Sequence, residues 1–161
     1  MIGASRKAGA GPPAKVRFVA IHRDVIAEMK KWETEGNHGS AMGKMLGACD
    51  AFVKREDALY EALLRQNACE KLKNGSGVLE LGPKQKKGGA PRLFILRRQD
   101  GLVLLSADVE KGSKGVRAMG IATQRAGQIP SNAAMDDPLK AAATLGPTYV
   151  VFTEPPIGNH L

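Results

Sequence analysis

Lysine and arginine side chains, which can bind anionic groups, are concentrated in one segment of this 161-residue chain. Residues 84–125 contain ten Lys and Arg against three Asp and Glu, a net charge of +7. The whole chain carries +8, so this segment holds nearly all of the excess. A nucleic-acid-binding protein would concentrate positive charge in this way. The alternative is a solvated basic surface that only keeps the protein in solution.

Three short apolar runs must position these cations. Residues 78–81, 91–98 and 101–109 are separated by Gly-rich or turn residues, which is typical of an antiparallel meander. The turn at residues 99–101 predicts a tight hairpin, with Gly101 at a position that tolerates a positive φ. The meander therefore predicts a sheet that ends in cations.

A strand and two helical stretches precede this meander. Residues 16–21 are β-branched and aromatic and predict a first strand. After it, apolar residues recur at i, i+4 and i+7, which predicts a helix with Asp24 as its N-cap. A second helical stretch runs from Ser40 to Leu64. The apolar stripe of the first helix consists of Val25, Met29 and Trp32.

The residues after the meander predict further regular structure. Residues 114–127 predict a helix, residues 138–145 a short helix, and residues 148–152 a strand. One face of the first of these helices would carry Val116, Met119 or Gly120, and Thr123.

Five pieces of the basic segment occur in an order that resembles a known family. They are Val78-Leu79-Glu80-Leu81, Arg92-Leu93-Phe94, Leu104-Leu105, Lys111 with Lys114, and Ala122 with Arg125. In this order they resemble the RelE/ParE superfamily of small bacterial toxins, and most closely its HigB-like, phage-encoded branch. The resemblance covers residues 71–125, about a third of the chain.

The resemblance implies a fold and a division of the chain. The fold would be α+β, a RelE-like small domain in which a helical hairpin packs on a mainly antiparallel twisted sheet. This domain would span residues 15–126, and a C-terminal extension, residues 127–161, would pack on it. Residues 1–14 are basic and rich in Gly and Pro, which predicts a disordered arm.

The resemblance also implies an activity. Members related to HigB and RelE are toxins of toxin–antitoxin systems that cleave messenger RNA on the ribosome, by attack of a ribose 2′-hydroxyl on the adjacent phosphate. Such an endoribonuclease needs a proton acceptor and cations that stabilise the charged phosphorane. The residues expected to be catalytic are Arg92, Lys111 and Lys114. Those expected to bind RNA or another anion are Lys84, Lys86, Lys87, Arg97, Arg98, Arg117 and Arg125.

Two departures from the family pattern favour an alternative without catalysis. Gly82 stands where the family's first strand usually ends in arginine, and Ser106 stands where a histidine often follows the two leucines. The remaining candidates for a base are a lysine with a depressed pKa, Asp108 or Glu110. The alternative is a RelE-fold binding protein, such as a phage or mobile-element inhibitor of a nucleic-acid-binding or defence protein. The ParE-like branch, which poisons gyrase by protein contact, matches less well.

These interpretations carry expectations about partners, cofactors and location. The partners would be RNA, the ribosome or another polyanion, together with a protein such as an antitoxin or an inhibited target. No cofactor or metal is expected, since the three histidines lie far apart and Cys49 and Cys69 lack ligand spacing. The surroundings of both cysteines look helical and apolar, so both should be buried free thiols. With no secretory signal and no apolar run near ~18 residues, a cytoplasmic protein without a membrane partner is predicted.

Overall fold

The protein has an α+β fold with an open, mostly antiparallel six-stranded sheet, which confirms the predicted class. The strands are β1 (Phe18–His22), β2 (Cys69–Lys71), β3 (Leu79–Leu81), β4 (Ala90–Arg97), β5 (Gly101–Glu110) and β6 (Tyr149–Phe152). The helices are α1 (Arg23–Thr34), α2 (Gly39–Val53), α3 (Val116–Gln128) and α4 (Pro138–Leu145). The computed structural model describes residues 16–34, 38–53, 69–82, 90–110, 116–153 and 157–161.

Several sequence predictions fall outside these residues. The predicted arm at residues 1–14 is one of them, and so is the predicted continuation of the second helix after Val53. The five lysines with predicted roles also lie there. They are Lys84, Lys86, Lys87, Lys111 and Lys114.

The sheet order is β2-β3-β4-β5-β1-β6, and β1 with β5 is its parallel pair. The register pairs Phe18 with Gly101 and Ile21 with Leu104, whereas β5 continues to Glu110 against β4. Its second half therefore has β4 on one side and no strand of the described fold on the other. This leaves a gap in the sheet beside the end of β1.

Helices cover both faces of the sheet, and each covered face has its own apolar core. Helices α1 and α2 pack with Val19, Ile21 and Leu104 on the first face. Helices α3 and α4 pack with Ala20 and Leu105 on the second. Because successive strand residues point to opposite faces, β1 and β5 must be apolar at nearly every position. Helices α1 and α2, where the helical hairpin was predicted, form one layer, and α3 with α4 forms the other.

The start of α1 differs from the prediction. Val25, Met29 and Trp32 are buried as expected, but Asp24 is not the N-cap, because the helix already begins at Arg23. The ring of His22 takes that role, since its Nδ1 accepts the Asp24 N–H at 3.0 Å. The chain thus passes from strand to helix without a loop.

The buried face of α3 also differs from the prediction. Ala118, Ala122 and Ala126 face the sheet, whereas Met119 and Thr123 are only partly buried. Small side chains on this face let the helix backbone lie close to β5. One consequence is a direct hydrogen bond from the Ser106 hydroxyl to the Ala118 carbonyl at 2.6 Å.

The residues of the predicted C-terminal extension are built into both cores. Ile129, Met135 and Ala141 belong to the core under α3, whereas Phe152 and Ile157 belong to the core under α1 and α2. The Ile157 N–H donates to the Asp50 carboxylate on α2 at 2.9 Å. The predicted helix at residues 138–145 and the strand near residues 148–152 are both confirmed.

Cys49 and Cys69 are buried free thiols, as predicted. Burial raises the pKa of Cys69 to about 12 and raises the pKa of Cys49 as well. The surroundings of Cys69 were predicted to be helical, which is wrong, because the residue begins strand β2. A three-residue edge strand gives too short an alternation to identify from sequence.

Candidate functional site

The gap beside β1 is the natural place for a binding site. Strand β1 leads into α1 on one face, and its parallel neighbour β5 precedes α3 on the other face. Where two such connections leave in opposite directions, a crevice opens at the carboxyl ends of the strands, and ligands of open α/β sheets bind there.

A groove of about 380 Å³, here called the α1–α3 groove, occupies this crevice. Its floor is formed by Ser106, Ala107 and Asp108, where β5 has passed the end of β1. Its walls are formed by α1 and α3. The charged side chains that line it are Asp24, Glu28, Lys31, Asp108, Arg117 and Arg125.

Arg125 is held in place by two hydrogen bonds at the back of the groove. One of its terminal nitrogens donates to the Leu105 carbonyl at 2.6 Å, and the other to the Asp24 carboxylate at 2.6 Å. The Arg125 side chain is 18% exposed, whereas that of Asp24 is 70% exposed. Arg125 therefore links β5 to α1 and serves the structure as well as the groove.

The remaining carboxylates of the groove also have local partners. Glu28 accepts the indole N–H of Trp32 at 2.7 Å. Asp108 accepts the N–H of Val109 at 2.8 Å. By contrast, Lys31 and Arg117 are exposed and form no ion pair with any residue that the structure describes. These two side chains are the cations of the groove that are available to an anionic ligand.

Arg92, predicted to be catalytic, lies at the same end of the sheet but does not line the groove. Its Nε is 3.0 Å from the Glu80 carboxylate, and the two side chains are 18% and 17% exposed. A Cβ atom at Gly82 would lie 2.4 Å from the Arg92 guanidinium and 2.6 Å from the Pro91 carbonyl. Gly82, where the resemblance would lead one to expect arginine, thus leaves the space that Arg92 uses to reach Glu80.

Ser106, where the resemblance would lead one to expect histidine, is 3% exposed. Its hydroxyl is committed to the Ala118 carbonyl, as described above. It therefore fastens α3 to β5 and is not available as a proton donor or acceptor in the way that a histidine would be.

Arg97 and Arg98 lie at the opposite end of the sheet, at the β4–β5 turn. Arg98 donates to the Ile129 carbonyl at 3.2 Å, and the buried Nε atoms of both arginines have no partner among the described residues. The structure therefore brings Arg117 and Arg125 together in the groove. It places Arg92 beside the neighbouring strand and does not bring Arg97 or Arg98 near them.

The lysine-rich segments of the sequence adjoin the groove end of the sheet. Segment 83–89 directly precedes β4, and segment 111–115 directly follows β5. The register pairs Ala90 with Glu110, so the two segments are joined to neighbouring strand ends. Both segments are outside the described residues, and together they contain five lysines and no acidic residue.

His22 was not predicted to be a site residue, yet it contacts residues of both α1 and β6. Its ring packs edge-to-face on Tyr149, with centroids 5.0 Å apart, and its Nδ1 caps α1. Burial lowers its pKa, and the charge of Arg125 lowers it further, with Asp24 opposing in part.

We expect the low pKa of His22 to make folding sensitive to acid. The unfolded chain binds a proton at this residue at a higher pH than the folded protein does. Stability is then fully present above the unfolded pKa of about 6.5 and falls as the pH drops below it. Urea midpoints measured from about pH 7 to about pH 5 should fall more for the native protein than for His22→Asn, which keeps an N-cap acceptor. Parallel pH dependences would contradict this assignment.

Other types of site receive no support from the described residues. None of their His, Cys, Asp and Glu side chains form a group of three or more that could hold a metal ion. No helix among them is long and apolar enough to cross a membrane. In comparisons with known proteins, no family model, no curated protein and no solved structure matches this chain.

Proposed function

We propose that the chain is a binding protein that holds RNA, or a similar polyanion, at the α1–α3 groove. The observation that carries the proposal is the pair of exposed cations there, Lys31 and Arg117, which have no carboxylate partner in the described fold. They lie at the sheet end that adjoins the two lysine-rich segments. A phosphate backbone bound across this end would contact cations supplied by several elements.

Binding without cleavage is favoured by the commitments of the other polar groups. Glu28 and Asp108 accept hydrogen bonds from neighbouring groups, Ser106 bonds the backbone, and Arg92 pairs with Glu80. Cleavage would require a poised proton acceptor beside the phosphate. Electrostatic attraction to phosphate requires only the cations.

The order of the described elements supports a RelE-like relationship as a further part of the proposal. A strand, two helices, a meander and a helix follow one another as the resemblance implies. In this interpretation the protein would have a protein partner, an antitoxin or an inhibited target, that binds over the same end of the sheet.

Removing the two available cations tests the groove. We expect Lys31→Ala with Arg117→Ala to weaken binding of a fluorescein-labelled single-stranded RNA by about tenfold and to lower the salt slope by about one to two. Fluorescence anisotropy would measure both quantities. The matched control is Lys30→Ala with Lys73→Ala, which removes two exposed lysines that do not line the groove.

The comparison of the two double variants decides the proposal. Weaker binding by the groove variant alone would support it. Equal effects of the two pairs would mean that only net charge matters, and the groove would not be the site.

A second candidate is a ribosome-dependent messenger-RNA endoribonuclease, the toxin of a toxin–antitoxin system. The observation in its favour is that Asp108 and Arg117 line the same groove, so a carboxylate base and a cation would face one ligand. Induced expression should then arrest growth and produce new message ends in primer extension, both lost in Asp108→Asn. The triple change Arg92→Ala, Lys111→Ala and Lys114→Ala tests the residues predicted from the resemblance. Normal growth with intact messages would exclude this candidate.

A further inference from the structure

A second concavity lies on the other side of Arg125, between α3, α4 and the start of β6. It is here called the α3–α4 pocket and has a volume of about 220 Å³. This is below the range of about 300–1,000 Å³ that accommodates drug-sized ligands, so the pocket suits a small group. Its polar lining consists of His22, Arg125, Gln128, Thr144, Thr148 and Tyr149.

Each polar side chain in the lining of this pocket can donate a hydrogen bond, the other lining residues are apolar, and none is acidic. Arg125 has five N–H donors, of which two are accounted for by Leu105 and Asp24, both outside the pocket. The His22 ring accepts at Nδ1, so its neutral form carries the proton on Nε2. The other donors are side-chain amide and hydroxyl groups. A site with a cation, several donors and no carboxylate selects an anion.

Three of the donors have no competing partner. The side chains of Gln128, Thr148 and Tyr149 make no hydrogen bond to any described residue. Burial raises the pKa of Tyr149, so its hydroxyl stays protonated and able to donate. Thr144 is different, because its hydroxyl donates to the Ala134 carbonyl at 3.2 Å.

A second cation lies near the pocket without lining it. The Arg23 guanidinium donates to the Pro147 carbonyl at 2.5 Å, next to Thr148. Arg23 does not itself line the pocket, but its hydrogen-bond partner is the chain neighbour of Thr148, which does. The nearby Asp24 carboxylate is bonded to Arg125 from the side of the α1–α3 groove and does not line the pocket.

We propose that the α3–α4 pocket binds the phosphate group of a small phosphate ester. A phosphate has enough acceptor oxygens to use Arg125, Gln128, Thr148 and Tyr149 together, whereas a carboxylate has two. Most of the donors come from residues 127–161, so this site gives the C-terminal extension a role beyond packing. The proposal is independent of RNA binding at the groove, because the two sites share only Arg125.

The test uses the His22 ring as a local reporter. Imidazole NMR resonances would be followed at about pH 7, the histidine signals being assigned with His22→Asn. The additions would be inorganic phosphate, adenosine 5′-monophosphate and adenosine, at constant ionic strength maintained with chloride. The expected result is a saturable shift of the His22 signal with the two phosphates and none with adenosine.

Matched variants separate the pocket from general charge effects. Gln128→Met with Thr148→Val removes two donors and should weaken phosphate binding by about tenfold or more. The control is Gln124→Met with Thr153→Val, at two exposed positions outside the pocket. Each change is also made singly, so that a folding defect of one double variant does not obscure the result.

Two results would overturn the proposal. One is a His22 signal that responds equally to phosphate and to chloride. The other is equal phosphate affinity in the pocket variants and the control variants. A response to adenosine 5′-monophosphate that exceeds the response to inorganic phosphate would show that the ester, and not free phosphate, is the ligand.

Discussion

Replacing Arg125 by methionine is expected to lower the free energy of unfolding by about 2–3 kcal/mol. The guanidinium is largely buried and donates to the Leu105 carbonyl, which has no other side-chain donor among the described residues. Methionine retains the apolar stem but leaves this carbonyl without the charged donor. Urea unfolding followed by circular dichroism would measure the change.

The matched control for Arg125 is Asp24→Asn. The Asp24 side chain is 70% exposed, so its ion pair with Arg125 should contribute no more than about 0.5–1 kcal/mol. The loss from Arg125→Met should therefore be clearly larger. Equal losses would show that the ion pair, and not the bond to Leu105, stabilises this junction.

Replacing Gly101 by alanine is expected to lower the free energy of unfolding by about 2–3 kcal/mol. An added Cβ would lie 2.1 Å from the ring of Phe18, which is itself 1% exposed in the core under α3. The ring cannot swing into solvent, and it is held by the parallel pairing of Phe18 with Gly101. The glycine is required by this close approach, and Gly101 is not one of the described glycines with a positive φ.

The control is Gly120→Ala, in the exposed middle of α3, where an added Cβ meets nothing within 4 Å. Because alanine is the better helix former, this change should raise the free energy of unfolding by about 0.5–1 kcal/mol. Thermal or urea unfolding of the two variants should thus give shifts of opposite sign. A loss in both variants would contradict the packing argument at Gly101.

The helices and every described strand except β2 could be predicted because their signals are local. β4 and β5 are long apolar runs joined by a tight turn, and α4 has a proline and an aspartate cap at its start. The buried face of α3 could not be predicted in this way. The periodic pattern suggested the larger residues, whereas close approach to β5 selected Ala118 and Ala122.

The candidate site was less predictable, because it depends on contacts between residues far apart in the chain. The pairing of Arg125 with Asp24 and the packing of His22 on Tyr149 each join residues more than a hundred positions apart. One feature could have been derived from the sequence. Arg92 and Arg98 are six residues apart in the strand predicted at residues 91–98, which would separate them by about 20 Å and prevent both from facing one small ligand.

The salt dependence of RNA binding tests the central claim most directly. The wild-type protein would be titrated against labelled single-stranded RNA in about 50 mM and about 200 mM salt. We expect the affinity to fall by about tenfold or more, since bound phosphates release counterions. If the affinity of the double variant Lys31→Ala with Arg117→Ala depends less steeply on salt, the phosphate contacts lie at the α1–α3 groove. Undetectable binding at the lower salt concentration, or an affinity that does not change with salt, would contradict the claim that this end of the sheet binds a polyanion.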